Sequence, residues 1–152
     1  MKVGFGKHNG KSVETIILKE PSYIEWALAQ ASSSGTLARL KGEAQRLIAI
    51  FDAKPYRTKC YGHGCSKLAT RCSVYLRNVY GPMWWCDDCD PYQRGADDGK
   101  LSVVRTYRDA LEHCTLFCTN RSAVESLVRA LAQAKGLPQR VSEKQSAEFF
   151  KP

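Results

Sequence analysis

Cys60-Tyr61-Gly62-His63-Gly64-Cys65 and Cys86-Asp87-Asp88-Cys89 set two close cysteine pairs on either side of a twenty-residue spacer. Zinc takes four soft or borderline donors at tetrahedral corners, ~2.3 Å from each sulfur, and two turns offering two thiolates each meet that need. Gly62 and Gly64 let the first turn bend around an ion. The spacing predicts a closed Zn2+ site made by Cys60, Cys65, Cys86 and Cys89. Between the pairs run the strand-like residues 72–77 and a Gly81-Pro82 turn. A zinc-ribbon-like hairpin module over residues 56–100 is therefore expected.

Alternatives to this ligand set stay open. His63 offers a nitrogen beside the first pair, and Cys72 offers a fifth nearby thiol. Cys72 alternates with Val74 and Leu76, which is the pattern of a buried strand thiol. An iron–sulfur cluster also uses four thiolates and is the lesser reading. A catalytic zinc needs an open position for water, which four thiolates do not leave. Nucleobase deamination calls for H-x-E and P-C-x-x-C; here His63 leads to Cys65, and Trp85 precedes Cys86.

The rest of the composition narrows the class. The chain has 152 residues, 43% of them hydrophobic, enough for an ordinary folded domain. No apolar run approaches the ~20 residues of a membrane helix. Met1-Lys2-Val3-Gly4-Phe5-Gly6-Lys7 has no apolar stretch of the signal-peptide kind, so a reducing, cytoplasmic setting is expected. Seven cysteines, an odd number, then read as metal ligands and packed thiols rather than a disulfide framework. The net charge is +8, spread over the whole chain rather than held in one tail. Such an excess suits an acidic polymer as partner, or simply a solvated basic surface.

Residues 1–55 read as a β-hairpin followed by two helices. Val3 and Phe5 alternate, Asn9-Gly10 supplies a type I′ turn, and Val13 and Ile16 continue a second strand. Pro21 opens a helix whose inner face is Ile24, Ala27, Leu28 and Ala31, and Ser32-Ser33-Ser34-Gly35 breaks it. Tyr23 and Trp26 are expected to pack on the hairpin. A second helix is predicted over residues 37–53, with Leu37, Leu40, Ala44, Leu47, Ile48 and Phe51 on one stripe.

Phe5-Gly6-Lys7-His8-Asn9-Gly10-Lys11 followed by Pro21-Ser22-Tyr23-Ile24-Glu25-Trp26 resembles the exodeoxyribonuclease X-like C-terminal domain. The resemblance covers about the first thirty residues. Related versions occur in bacterial and phage proteins, where the module accompanies nucleases and other DNA-processing proteins. It implies a DNA-related context and no particular reaction, since the acidic motifs of the exonuclease catalytic domain are absent. Lys7 and Lys11 flank the tip and, beside backbone amides, suit a phosphate. The motif is equally consistent with a folding signature alone.

Residues 101–152 form a mixed strand and helix segment. Leu101, Val103 and Val104 predict a strand, Thr106 caps a helix through His113, and residues 115–118 are read as a further strand. Ser122-Ala123-Val124-Glu125 has the capping-box pattern, followed by the periodic Val124, Leu127, Val128, Leu131 and Ala134. Gly136 and Pro138 end that helix. Ser142-Glu143-Lys144-Gln145 caps a last short one. Cys114 and Cys118 read as packed thiols, and the whole chain as α+β.

These features favour a non-enzymatic, zinc-containing nucleic-acid-binding protein, with DNA preferred to RNA and a bacterial or phage origin. Phosphate contacts are expected from Lys7, Lys11, Arg57, Lys59, Lys67, Arg71 and Arg77. Stacking on bases falls to an exposed member of Trp84, Trp85 and Tyr92, with Arg94 and Lys100 nearby. The alternative is a zinc-dependent protein–protein adaptor or inhibitor docking a larger complex. Asp87, Asp88, Asp90, Asp97 and Asp98 invite a magnesium-nuclease reading, but their spacing puts them on turns with nothing to fix a pair. No nucleophile–base pattern or phosphate loop supports an enzyme.

Overall fold

Ser12 decides the start of the chain. Its Oγ accepts a hydrogen bond from the Thr15 backbone N–H at 3.2 Å, which caps a helix, α1 (Val13–Lys19). Val13, Ile16 and Ile17 are all buried, at the i, i+3, i+4 spacing of a helix rather than the alternation of a strand. The expected N-terminal hairpin is therefore absent. In its place a single Lys2–Ser12 bridge closes a loop containing one 3-10 turn, Gly6–His8. Val3 holds the loop, donating to Lys11 O at 2.9 Å and accepting from Gly10 N at 2.8 Å. Asn9 (φ −53°, ψ 128°) and Gly10 (φ 86°) form a type II turn, so only the glycine takes positive φ.

The structure, a computed structural model, describes residues 1–31, 34–92, 100–118 and 120–152. Helix α2 (Pro21–Ala29) begins at the proline and buries Ile24 and Ala27. It stops before Ala31, which is exposed. Lys41 Nζ donates to Gln30 O at 2.6 Å, satisfying a carbonyl at that end. Helix α3 (Gly35–Ala53) buries Leu40, Ala44, Leu47, Ile48 and Phe51, the stripe read from the sequence. Ser32 and Ser33, read as part of the helix break, lie outside the described residues.

Three strands follow: β1 (Arg71–Tyr75), β2 (Met83–Trp85) and β3 (Leu101–Val104). They form an antiparallel sheet in the order β2-β1-β3, so the central strand pairs with its hairpin partner and with a strand from the last third of the chain. Cys72 stands opposite Trp84 on one side and Val104 on the other. Thr106 and Asp109 make a reciprocal capping box at the start of α4 (Tyr107–Phe117). Residues 115–118 are thus helix and C-cap, not a strand. Tyr107, Ala110, Leu111 and Cys114 form one buried face, and past it the backbone hydrogen bonds carry the helix on, ending with Cys118 N donating to Cys114 O at 3.0 Å.

Helix α5 (Arg121–Ala134) is capped by Asn120, whose Oδ1 accepts from Ala123 N at 2.9 Å. The cap thus lies two residues before the serine expected to provide it. Gly136 (φ 107°) ends the helix as read. Helix α6 (Glu143–Phe149) carries the Ser142–Gln145 capping box. Six α-helices and one three-stranded sheet among the described residues make an α+β fold. Tyr107 is its pivot: fully buried, it donates from its hydroxyl to Ile17 O (2.7 Å) and from its amide to Asp52 Oδ1 (2.8 Å). Its ring meets Phe51 edge-on at 5.3 Å. One hydrophobic cluster extends from Val3 to Phe150. Each large side chain fully buried there contributes about 1.5–3 kcal/mol.

Candidate metal centre and its surroundings

The two cysteine turns meet because backbone hydrogen bonds fasten the first to the second strand of the sheet. Cys60 N donates to Lys67 O at 2.9 Å, and Lys59 bridges Leu68, making a small hairpin of the first turn. Tyr61 N then donates to Trp84 O (2.8 Å) and Thr70 N to Trp85 O (2.9 Å). Since β2 runs straight into Cys86, these bonds carry Cys60 and Cys65 to Cys86 and Cys89.

The ligand atoms of all four cysteines lie within 4.8 Å of one another. Cys65 Sγ and Cys86 Sγ are 3.9 Å apart. A tetrahedral ion with ~2.3 Å bonds to sulfur spaces its ligands by about 3.8 Å, so four thiolates here fit one metal ion. Cys60 Sγ accepts N–H bonds from Gly62 (3.3 Å) and Cys86 (3.2 Å), donors that stabilise negative charge on sulfur. Burial raises the Cys86 thiol, but the amides of Asp88 and Cys89 outweigh it and bring the group down to about 7. Cys89, hydrogen-bonded to Cys86, is pushed up to about 12.

A Cβ on Gly62 would stand 2.6 Å from Cys89 Sγ and 2.9 Å from Cys89 Cβ. The cradle closes around the sulfurs only because that side chain is missing. Among the described residues the cluster includes neither His63 nor Cys72. His63 is exposed, and Cys72 is a buried strand thiol pushed up to about 12 by desolvation. Cys114 and Cys118 also stand outside it.

Charged side chains brace the two turns. Lys67 pairs with Asp88 across them. Arg71, 8% exposed, pairs with Asp87 and sits 3.6 Å from Asp90. Asp87 also accepts from Thr70, and Asp90 Oδ1 accepts from Tyr92 N at 2.8 Å. These aspartates serve the loops that hold the cysteines. Asp97, Asp98 and Arg94 lie outside the described residues.

The expected contact residues therefore occupy different settings. Lys7, Lys11, Arg57, Lys59, Lys67 and Arg77 are exposed, while Arg71 is buried in its ion pairs. Lys11 pairs with Glu20 at 3.3 Å. Trp84, 6% exposed, packs inward on Tyr56 at 5.2 Å. Trp85 is half-buried, donating from Nε1 to Ser73 Oγ (3.0 Å), with Tyr61 and Tyr92 at its edges, 6.4 and 6.5 Å away. Tyr61, 58% exposed, is the outermost ring of this group.

Tyr23 packs against the core and on His8 of the N-terminal loop, but Trp26 departs from expectation. Trp26 is 46% exposed and stacks on Tyr23 with centroids 5.4 Å apart, rather than packing under a hairpin.

The family model described as exodeoxyribonuclease X-like C-terminal matches residues 4–32. That segment comprises the N-terminal loop, α1, α2 and their aromatic pair, and it stops well short of the cysteine cluster. No curated protein and no solved structure matches the chain.

Proposed function

We propose that this chain is a non-enzymatic nucleic-acid-binding protein whose zinc-ribbon-like centre, a Zn2+ held by Cys60, Cys65, Cys86 and Cys89, presents a basic and aromatic surface to DNA. Its context is DNA processing in a bacterium or phage, inside the cytoplasm. The carrying observation is the four-sulfur cradle with Tyr61, Trp85 and Tyr92 ranged beside it and Lys59 exposed on the same turn. A net charge of +8 and the match of residues 4–32 to a domain named for a deoxyribonuclease support the same direction. Zinc fits the four-thiolate set better than harder ions, which prefer oxygen. The bound ion would fix the turn geometry; stacking and phosphate contacts come from the side chains.

The test is fluorescence anisotropy with labelled single-stranded DNA, duplex DNA and RNA from 50 to 300 mM salt. Binding that falls steeply with salt, and that Tyr61→Ala and Lys59→Ala weaken, is the expected result. Binding to none of the three, or affinity indifferent to salt, refutes the reading.

One observation favours the adaptor alternative. Leu116 and Phe117 are exposed at the end of α4, and Leu116 borders a mainly apolar hollow of about 410 Å3 with Leu28, Ala29 and Leu111. Loss of partner capture on Leu116→Glu, with DNA affinity intact, would identify that role.

A further inference from the structure

A cavity of about 300 Å3 lies far along the chain from the cysteines, between the N-terminal loop, α2 and the start of α5. Lys7, Glu20, Tyr23, Trp26, Arg121 and Glu125 line it. Its volume is at the lower end of small-ligand sites. One wall is the Tyr23–Trp26 stack, interplanar angle 27°, with nearly half of Trp26 open to solvent. A core aromatic would be covered; an exposed indole held flat by a second ring is a preformed stacking face.

The charges around this face are divided. Glu20 is already engaged by Lys11 Nζ at 3.3 Å, with His8 Nε2 close by at 3.1 Å but not hydrogen-bonded to it. His8 itself is buried and stands edge-on to Tyr23, 4.3 Å between centroids, so it fixes the wall from behind. Lys7 and Arg121 are exposed, and no ion pair among the described residues occupies either. Arg121 is the first residue of a fourteen-residue helix, whose amino end adds positive potential. Glu125, one turn on, is left as an acceptor.

We propose that this cavity binds one unpaired nucleotide of a single strand, its base stacked on Trp26 and its phosphate held by Lys7 and Arg121. Glu125 accepts from an exocyclic amine, a donor that adenine, cytosine and guanine carry and thymine, whose base donor is its ring N3–H, does not. Three features recognise three parts of the ligand: a planar wall, two cations with no ion pair among the described residues, and one carboxylate. The site rests on the nucleic-acid reading above and adds to it a second contact that needs no metal.

The test uses the 152-residue chain loaded with Zn2+ and two labelled probes, octamers of deoxyadenylate and of deoxythymidylate, at 50 mM salt. Indole N–H signals of Trp26, Trp84 and Trp85 are followed by NMR, the first assigned by its loss in Trp26→Phe. The deoxyadenylate octamer is expected to move the Trp26 signal and leave buried Trp84 in place. Trp26→Ala should weaken binding about five- to a hundredfold, with Trp26→Phe retaining most of it. Arg121→Ala should weaken both probes alike, and Glu125→Gln should narrow the preference for adenine. If the octamers bind while Trp26→Ala and Arg121→Ala leave affinity unchanged, the pocket is refuted and the metal-centred surface stands. If wild-type protein binds neither octamer, the pocket falls; retained binding of duplex DNA would then keep the broader function.

Discussion

Gly62 stands against Cys89 so closely that a Cβ on the glycine would meet the cysteine Sγ at 2.6 Å. Two turns separated by the whole hairpin thus touch through a position without a side chain. Gly62→Ala must push one sulfur outward, and a tetrahedral ion tolerates little displacement of its ligands. Metal affinity is expected to fall at least about tenfold, consistent with the loss seen when a metal's supporting shell is disturbed. Competition with a chromogenic chelator measures it; unchanged affinity would show that the turn yields.

Once the quartet is loaded with Zn2+, removing the ion should loosen the middle of the chain before the helices. Cys60, Cys65, Cys86 and Cys89 hold two turns that have few buried apolar contacts of their own, whereas α1, α3 and α5 share the main core. Chelation, or Cys86→Ser, is expected to lower the melting temperature and expose Trp84, since ion binding to the folded state alone adds directly to stability. A melting curve and Trp84 emission insensitive to chelator would contradict this.

Lys135 is 3% exposed, donates to Lys54 O at 2.6 Å and lies 4.3 Å from the centre of the Tyr56 ring. Burial lowers its ammonium from 10.5 to about 8. Between those values the unfolded chain keeps a proton the folded chain has released, so stability contributed by this residue rises with pH. Relative to Lys135→Met, the wild type should gain about 3 kcal/mol from pH 8 to 10.5. Denaturant titrations of both proteins across that range provide the test. The difference between them removes the opposing loss from buried Cys72 and Tyr56, both held up by desolvation.

Acid should act through the buried histidines. Desolvation lowers His8 below its ordinary 6.5 despite Glu20, and lowers His113 despite the Tyr75 and Leu76 carbonyls. A group neutral in the fold but protonated when unfolded leaves stability intact above pH 6.5 and takes it away as pH falls below. Wild type minus His113→Leu should therefore be flat from pH 7 to 8 and decline under pH 6.5. A difference that is constant down to pH 5 would exclude this role.

Where the sequence misled, a local pattern had two readings and distant contacts chose between them. Val13 and Ile16 served a strand as well as a helix until Ser12 capped the latter. Residues 115–118 also suit a strand, yet the helical hydrogen bonds of α4 run on to Cys118 N, which donates to Cys114 O at 3.0 Å, although Leu116 and Phe117 stay exposed. Trp26 resembled core, but α2 turns it toward Arg121, a residue nearly a hundred positions away, and no local signal reports that meeting.

What the sequence alone determined was the cysteine quartet, the helical stripes of α3 and α5, and the capping box of α6. Ligand spacing, helical period and side-chain caps act over a few residues, so they survive reading in one dimension. Tertiary structure alone decided that Arg71 is spent on Asp87 and Asp90, that Trp84 faces Tyr56, and that β3 completes a sheet begun by the β1–β2 hairpin. Those outcomes depend on which surfaces exclude water together, and burial is a property of the assembled chain rather than of any segment.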